Sequence, residues 1–271
     1  MSSAAPSKRD HHPNTLPSGH GLLHWFVDFL SSTVGSKLVV ALTGLGLTVF
    51  VIAHLLGNLQ LFAGQDAINS YAKFLKDLGP LLWIARIGLL TIFVLHIVLA
   101  ILLKRRSARA RPVPYRNPAT IQASAASRTM LSTGLVILAF VLFHLAHFTF
   151  AWVAQVDAHP IGPGMKVRVS YLQLVDAQGR HDVYSMVVAG FKNPMVSMFY
   201  ILAQLVIFVH LSHGISSTFQ SLGLNTPRTQ RFFKIFGWCV AGLIAAGNIA
   251  IVLAVWCGTI PEIKPLHFSG E

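Results

Sequence analysis

The sequence predicts an all-α integral membrane protein, five transmembrane helices in a bundle with short interfacial helices beside it. Three observations predict it. The first is composition: 54% of the 271 residues are hydrophobic and 11% charged, where a soluble domain is about a quarter charged. The second is patterning. A helix needs about 20 apolar residues to cross the hydrocarbon core, and such runs occur at 37–62, 81–103, 130–154, 195–219 and 233–257, with no other stretch long enough. The third is where the formal charge of +12 lies. With the N-terminus placed in the cytoplasm, 11 of those 12 charges fall on the inner face, concentrated in "KRRSARARPVPYR" and in Arg228, Arg231 and Lys234. That is the positive-inside bias. The basic run reads first as a stop-transfer and lipid-anchoring segment. A nucleic-acid partner would need a soluble basic domain, and no stretch provides one.

The elements follow in order. Residues 1–19 are polar, with Pro13, Pro17 and Gly19, and read as a flexible tail without a signal-peptide pattern. Residues 20–36 hold "HGLLHWFVDFLSS", too short to span and suited to the interface. The transmembrane domain covers 37–258. Between the first two spans, Ile68, Tyr71, Leu75 and Leu78 form one helical stripe, a second interfacial helix that Pro80 ends. The loop 104–128 is basic and cytoplasmic. The longest connection, 155–193, holds two alternating runs around Gln178-Gly179 and predicts a short hairpin there. In the fifth span Gly237, Ala241 and Ala245 recur every four residues, a face for close helix packing. Residues 259–271 form an outer tail. The only cysteines, Cys239 and Cys257, lie on one helix and cannot pair with each other, and no C-x-x-C-H motif is present.

The histidines carry the chemistry. Seven of the 13 lie outside the spans; six lie inside, His54, His96, His144, His147, His210 and His213. An imidazole in hydrocarbon is costly unless its nitrogens are taken. At 1.5 Å per residue, His54 and His144 lie about 25 and about 21 Å along outward-running helices, and His96 and His210 about 22 Å along inward-running ones. Four helices thus supply one pair in the outer half and one in the inner half. Two b haems would use such pairs, because an electron-transfer iron takes two axial imidazoles from facing helices. Zinc would want a tighter cluster. The spans contain no Asp or Glu, which weakens a haem-free transporter in which the histidines bind substrate. His144 and His147, like His210 and His213, are three apart and share a face. Only one of each doublet can hold a given iron. The other contacts a propionate or quinone, or is a satisfied polar residue at the bundle edge. Arg86, one turn inside the outer end of the second span, either meets a propionate or snorkels to the interface.

The stretches "SKLVVALTGL", "AHLLGNLQLF", "INSYAKFL", "VYSMVVAGFKNPMVSMFY" and "HLSHGISSTFQSLGLNTPRTQR" together resemble the cytochrome b membrane subunit of succinate:quinone oxidoreductases, the single-chain, five-helix, di-haem type. The resemblance covers about residues 33–232; the fifth span matches only as an apolar helix. It implies that His54 and His144 ligate an outer haem b and His96 and His210 an inner one, the first histidine of each doublet being the ligand. It also implies a flavoprotein and an iron–sulfur partner on the inner face, a quinone substrate, usually menaquinone, and a bacterial cytoplasmic membrane with the C-terminus outside. By analogy with a quinone pocket near the iron–sulfur subunit, Ser32 and Lys37 are quinone-site candidates; helix capping and interfacial anchoring account for them equally. One feature departs from the family. Some proton-coupled members carry an acidic residue just before the fourth ligand, where this chain has Val206, Ile207, Phe208 and Val209. The expectation is therefore a membrane anchor and di-haem electron carrier, part of an enzyme whose succinate site lies on another chain. The cytochrome b anchor of a hydrogenase or formate dehydrogenase shares the paired-histidine logic but not "HLSHGISSTFQSLGLNTPR".

Overall fold

The computed structural model describes residues 21–110, 124–161 and 164–268. The expected tail at 1–19, the middle of the basic loop with Arg111 and Arg116, and the last three residues lie outside the described residues. Five helices are long and apolar enough to cross a membrane, and the chain is a multi-pass, all-α membrane protein. The end of the bundle bearing the basic loop is called the inner end.

Helix α1 (Leu22–Ser31) and α2 (Thr33–Asn58) meet at a corner built by Ser32. Its hydroxyl accepts from Gly35 N at 2.9 Å and donates to Phe29 O at 2.8 Å, an N-cap of the expected kind. A 3₁₀ turn (Leu59–Ala63) continues α2 outward, and α3 (Gln65–Asp77) is the second interfacial helix, burying Ile68 and Asn69. Pro80 opens α4 (Pro80–Arg109) at its first position, where the missing N–H costs nothing. After the short α5 (Ala125–Arg128), α6 (Met130–His144) runs outward, and Pro194 opens α8 (Pro194–Ser221) behind an Asn193 cap. Helix α9 (Gln230–Trp256) packs along α8. The small-residue face does what its spacing predicts. A Cβ on Gly237 would lie 2.9 Å from Ser212 O, Ala241 is fully buried and Ala245 nearly so.

Two expectations are corrected. The third span does not stay α-helical to 154: past His144 it widens into a π turn, Leu145–Thr149, closed by Phe150 N to Leu145 O at 2.8 Å. The hairpin is not where the alternation put it. Strands β1 (Gln155–Pro160) and β2 (Val167–Ser170) pair antiparallel one segment earlier. The turn at Gln178-Gly179 exists, with Gly179 at φ +73° and a single bridge from Val175 to His181. The run after it is helix α7 (Val183–Lys192), because Asp182 caps it through Ser185 N and its turns bury Tyr184, Met186, Val188 and Phe191. In the described part of the tail, β4 (His267–Phe268) pairs with β1 and with β3 (Leu174–Val175), giving the order β2-β1-β4-β3.

This outer cap is tied to the bundle through Asn69, which is fully buried. Its amide donates to Asp176 at 3.0 Å and Asp182 at 3.1 Å, and its carbonyl accepts from Tyr184 N at 3.1 Å. Arg180 adds an ion pair to Asp176 at 2.7 Å and one to Asp66 at 2.9 Å. Burial by itself would push the Asp176 carboxyl up. The bonds from Asn69, Arg180 and Gln178 N outweigh it and hold the group below the ordinary carboxylate range.

Candidate functional site

At the inner level, His96 on α4 meets Thr43 of α2. Its Nδ1 lies 3.2 Å from Thr43 Oγ1 and 3.2 Å from Val40 O. The threonine hydroxyl hydrogen already goes to Val39 O at 2.7 Å, so Oγ1 can only accept. Both neighbours of Nδ1 therefore require a hydrogen on it, which leaves Nε2 with its lone pair. His210 on α8 repeats the arrangement with α6. Its Nδ1 is 3.1 Å from Thr133 Oγ1, whose hydroxyl donates to Thr129 O at 2.9 Å. In both cases a glycine follows the threonine and lets the ring approach. A Cβ on Gly44 would lie 3.0 Å from His96 Cε1, and one on Gly134 3.4 Å from His210 Cε1. His213 sits half-buried one turn further inward on the regular helix α8.

The outer level is built differently. His54 on α2 and His144 at the end of α6 have ring centres 5.9 Å apart and planes at 85°. His54 stacks on Phe50 at 5.6 Å. One turn outward, Gly57 lets Tyr71 of α3 lie against α2; a Cβ there would come within 2.6 Å of the tyrosine ring. His144 Nδ1 lies 3.3 Å from the hydroxyl of Tyr200 on α8, and that hydroxyl is also 3.1 Å from His147 Nδ1. His147, within the π turn, is 3% exposed.

Of the expected ligand positions, His54 and His144 come together at the outer level, while His96 and His210 each rest on a threonine of a neighbouring helix. Two metal–imidazole bonds of roughly 2 Å, plus roughly 1 Å from each nitrogen to its ring centre, put facing rings about 6 Å apart. The outer pair at 5.9 Å meets that separation. No family model, curated protein or solved structure matches the chain. Among the described residues no group of three or more His, Cys, Asp or Glu could hold a metal ion. Side chains that hold the Nδ1 atom of an imidazole fix its tautomer and orientation and raise its basicity as a ligand. Thr43, Thr133 and Tyr200 are the residues that sequence reasoning missed, although the Thr-Gly pairs at 43–44 and 133–134 were a readable signal.

The remaining candidates sit apart from these pairs. Arg86 is exposed, its guanidinium 5.1 Å from the ring centre of Trp83, the posture of an interfacial anchor. The Ser32 hydroxyl is committed to the α1–α2 corner and Lys37 is exposed beside it. Ser36, fully buried in the same corner, accepts from Arg106 of α4 at 3.1 Å.

Proposed function

We propose that this chain is the membrane anchor and di-haem b electron-transfer subunit of a succinate:quinone oxidoreductase in a bacterial cytoplasmic membrane, with its N-terminus inside and C-terminus outside. The observation that supports it is the placement of the four histidines: His54 and His144 have ring centres 5.9 Å apart across two helices, and His96 and His210 each hold Nδ1 against a threonine hydroxyl of a neighbouring helix. The donor set fits haem b. His96 and His210 would hold the inner group and His54 and His144 the outer one. A bis-imidazole haem supplies one-electron exchange at an iron with no open position for oxygen. The threonines hold the inner imidazoles in the ligating tautomer, and the apolar spans keep bulk water away from them.

The inner face suits docking of an iron–sulfur subunit and, through it, a flavoprotein. Thr226 and Thr229 bond each other's backbone N–H, at 2.8 and 3.2 Å, and fix the turn that carries Arg228 and leads into Arg231 at the start of α9. Menaquinone is the expected substrate, by resemblance, near the α1–α2 corner. The test is the haem content of the purified polypeptide together with the chains that co-purify. About two haems per chain, from two bis-imidazole sites, with a flavoprotein and an iron–sulfur protein retained, is the expected result. Absence of haem sinks the redox reading. Two haems with a hydrogenase or formate dehydrogenase subunit instead would keep the haem sites and replace the enzyme.

A further inference from the structure

Tyr200 has one hydroxyl hydrogen and two imidazoles to serve. Its oxygen lies 3.3 Å from His144 Nδ1 and 3.1 Å from His147 Nδ1, its only hydrogen-bond partners among the described residues. The residue is 5% exposed and walled by the rings of Phe140, Phe143, Phe148 and Phe191. A phenol gives one hydrogen and accepts at its lone pairs, and a neutral imidazole carries hydrogen on one nitrogen only. The histidine that receives the tyrosine hydrogen at Nδ1 must carry its own on Nε2. The histidine that donates to the tyrosine carries its hydrogen on Nδ1 and keeps Nε2 bare. If both histidines donated, the buried hydroxyl hydrogen would have no acceptor. The phenol therefore divides two neighbours of the same chemistry into one ligand and one donor.

Which is which follows from what each ring faces. His144 faces His54 across 5.9 Å. His147 stands 6.0 Å from Tyr171 and 4.0 Å from Phe148, ring centre to ring centre, and is covered by Gly190, where a Cβ would lie 3.1 Å from His147 Cε1. We propose that Tyr200 is a positioning residue: it accepts from His144 Nδ1 and donates to His147 Nδ1, which reserves His144 for the outer haem iron and makes His147 an Nε2–H donor. This rests on the di-haem reading above.

Tyr200→Phe keeps the ring and removes both bonds. His147 then regains a bare Nε2 and competes with His144. The low-spin electron paramagnetic resonance signal of the outer haem should split into two populations while the inner signal stays as in wild type. The outer haem's midpoint potential should also rise, because its ligand loses the acceptor that makes it more basic. Adding His147→Leu to Tyr200→Phe removes the rival and should restore a single outer signal. A single, unshifted outer signal in Tyr200→Phe overturns the proposal. So does a split that persists in the double variant. If Tyr200→Phe sheds the outer haem altogether, its recovery in the double variant supports the assignment and its continued absence overturns it. A wild-type chain without haem overturns the di-haem reading as well, whereas the other failures remove the tyrosine's role alone.

Discussion

The inner and outer histidine pairs answer one physical demand in two ways. Inside, each imidazole leans on a threonine from a neighbouring helix, and that threonine's hydrogen is spent on its own backbone. Such an oxygen has nothing left to decide; it can only accept. Outside, His144 shares a tyrosine with a second histidine, and His54 has an aromatic stack in place of a hydroxyl. The inner level is thus fixed by local helix geometry and the outer level by a three-residue arrangement spanning α6, its π turn and α8. Disturbances confined to one helix pair should damage the inner level selectively, and disturbances of the cap should reach the outer one.

On the di-haem proposal, the largest effect that can break this comparison is removal of a proposed ligand. His96→Ala or His210→Ala should take the haem from the inner level only, and His54→Ala or His144→Ala from the outer level only, lowering the content from about two to about one per chain. Loss of both haems in any of these variants would mean that the levels are not independent.

The next effect is a test of the glycines. A Cβ on Gly44 would crowd His96 at 3.0 Å, and one on Gly134 would meet His210 at the looser 3.4 Å. Both alanines gain about 1 kcal/mol of helix propensity, but Gly44→Ala also requires the His96 ring to give by a few tenths of an ångström, so it should be the less stable of the two variants. The temperature at which the inner haem's Soret band is lost would rank the two. Equal behaviour would remove the crowding argument.

Smaller still, Thr43→Val and Thr133→Val delete one acceptor each at nearly constant volume. Each should cost about 0.5–1.5 kcal/mol and raise the inner haem's potential, leaving the outer one in place; a redox titration of both haems reads it. The smallest effect at neutral pH belongs to the cap. Asp176 is held below the ordinary carboxylate range, so the stability it contributes is present above that range and lost as pH falls through the depressed value. The unfolding temperature of the wild type should fall more steeply on acidification than that of Asp176→Asn.

The sequence made the spans legible because membrane burial needs only length and apolarity, and His54 and His144 could be paired because depth follows from counting residues along a helix. Tyr200 stayed hidden because its role depends on α8 facing α6, which no spacing within one helix reveals. The π turn stayed hidden because Leu145–Thr149 carries no Gly or Pro to mark a departure from the helix before it. The hairpin was misplaced because "DVYSMVVAGF" reads as an alternating strand until Asp182 caps it as a helix. Thr43 and Thr133 looked like ordinary polar residues near helix starts, since threonine returning its hydroxyl to the preceding turn is common.

The π turn at Leu145–Thr149 makes chain length itself a determinant of this site. Its i→i+5 closure holds one more residue than the α turn it stands in for. Deleting a single residue there, Ala146 for instance, would let the regular helix resume with the segment beyond it near its present phase, while His147 itself would take a new position on the narrower turn. His147 would swing away from Tyr200 without a change in either side chain. A scan of substitutions cannot detect that dependence, because every substitution preserves the count. Insertions and deletions would expose it, and a distant copy of this protein that is one residue shorter here would have to divide the work of its histidines by other means.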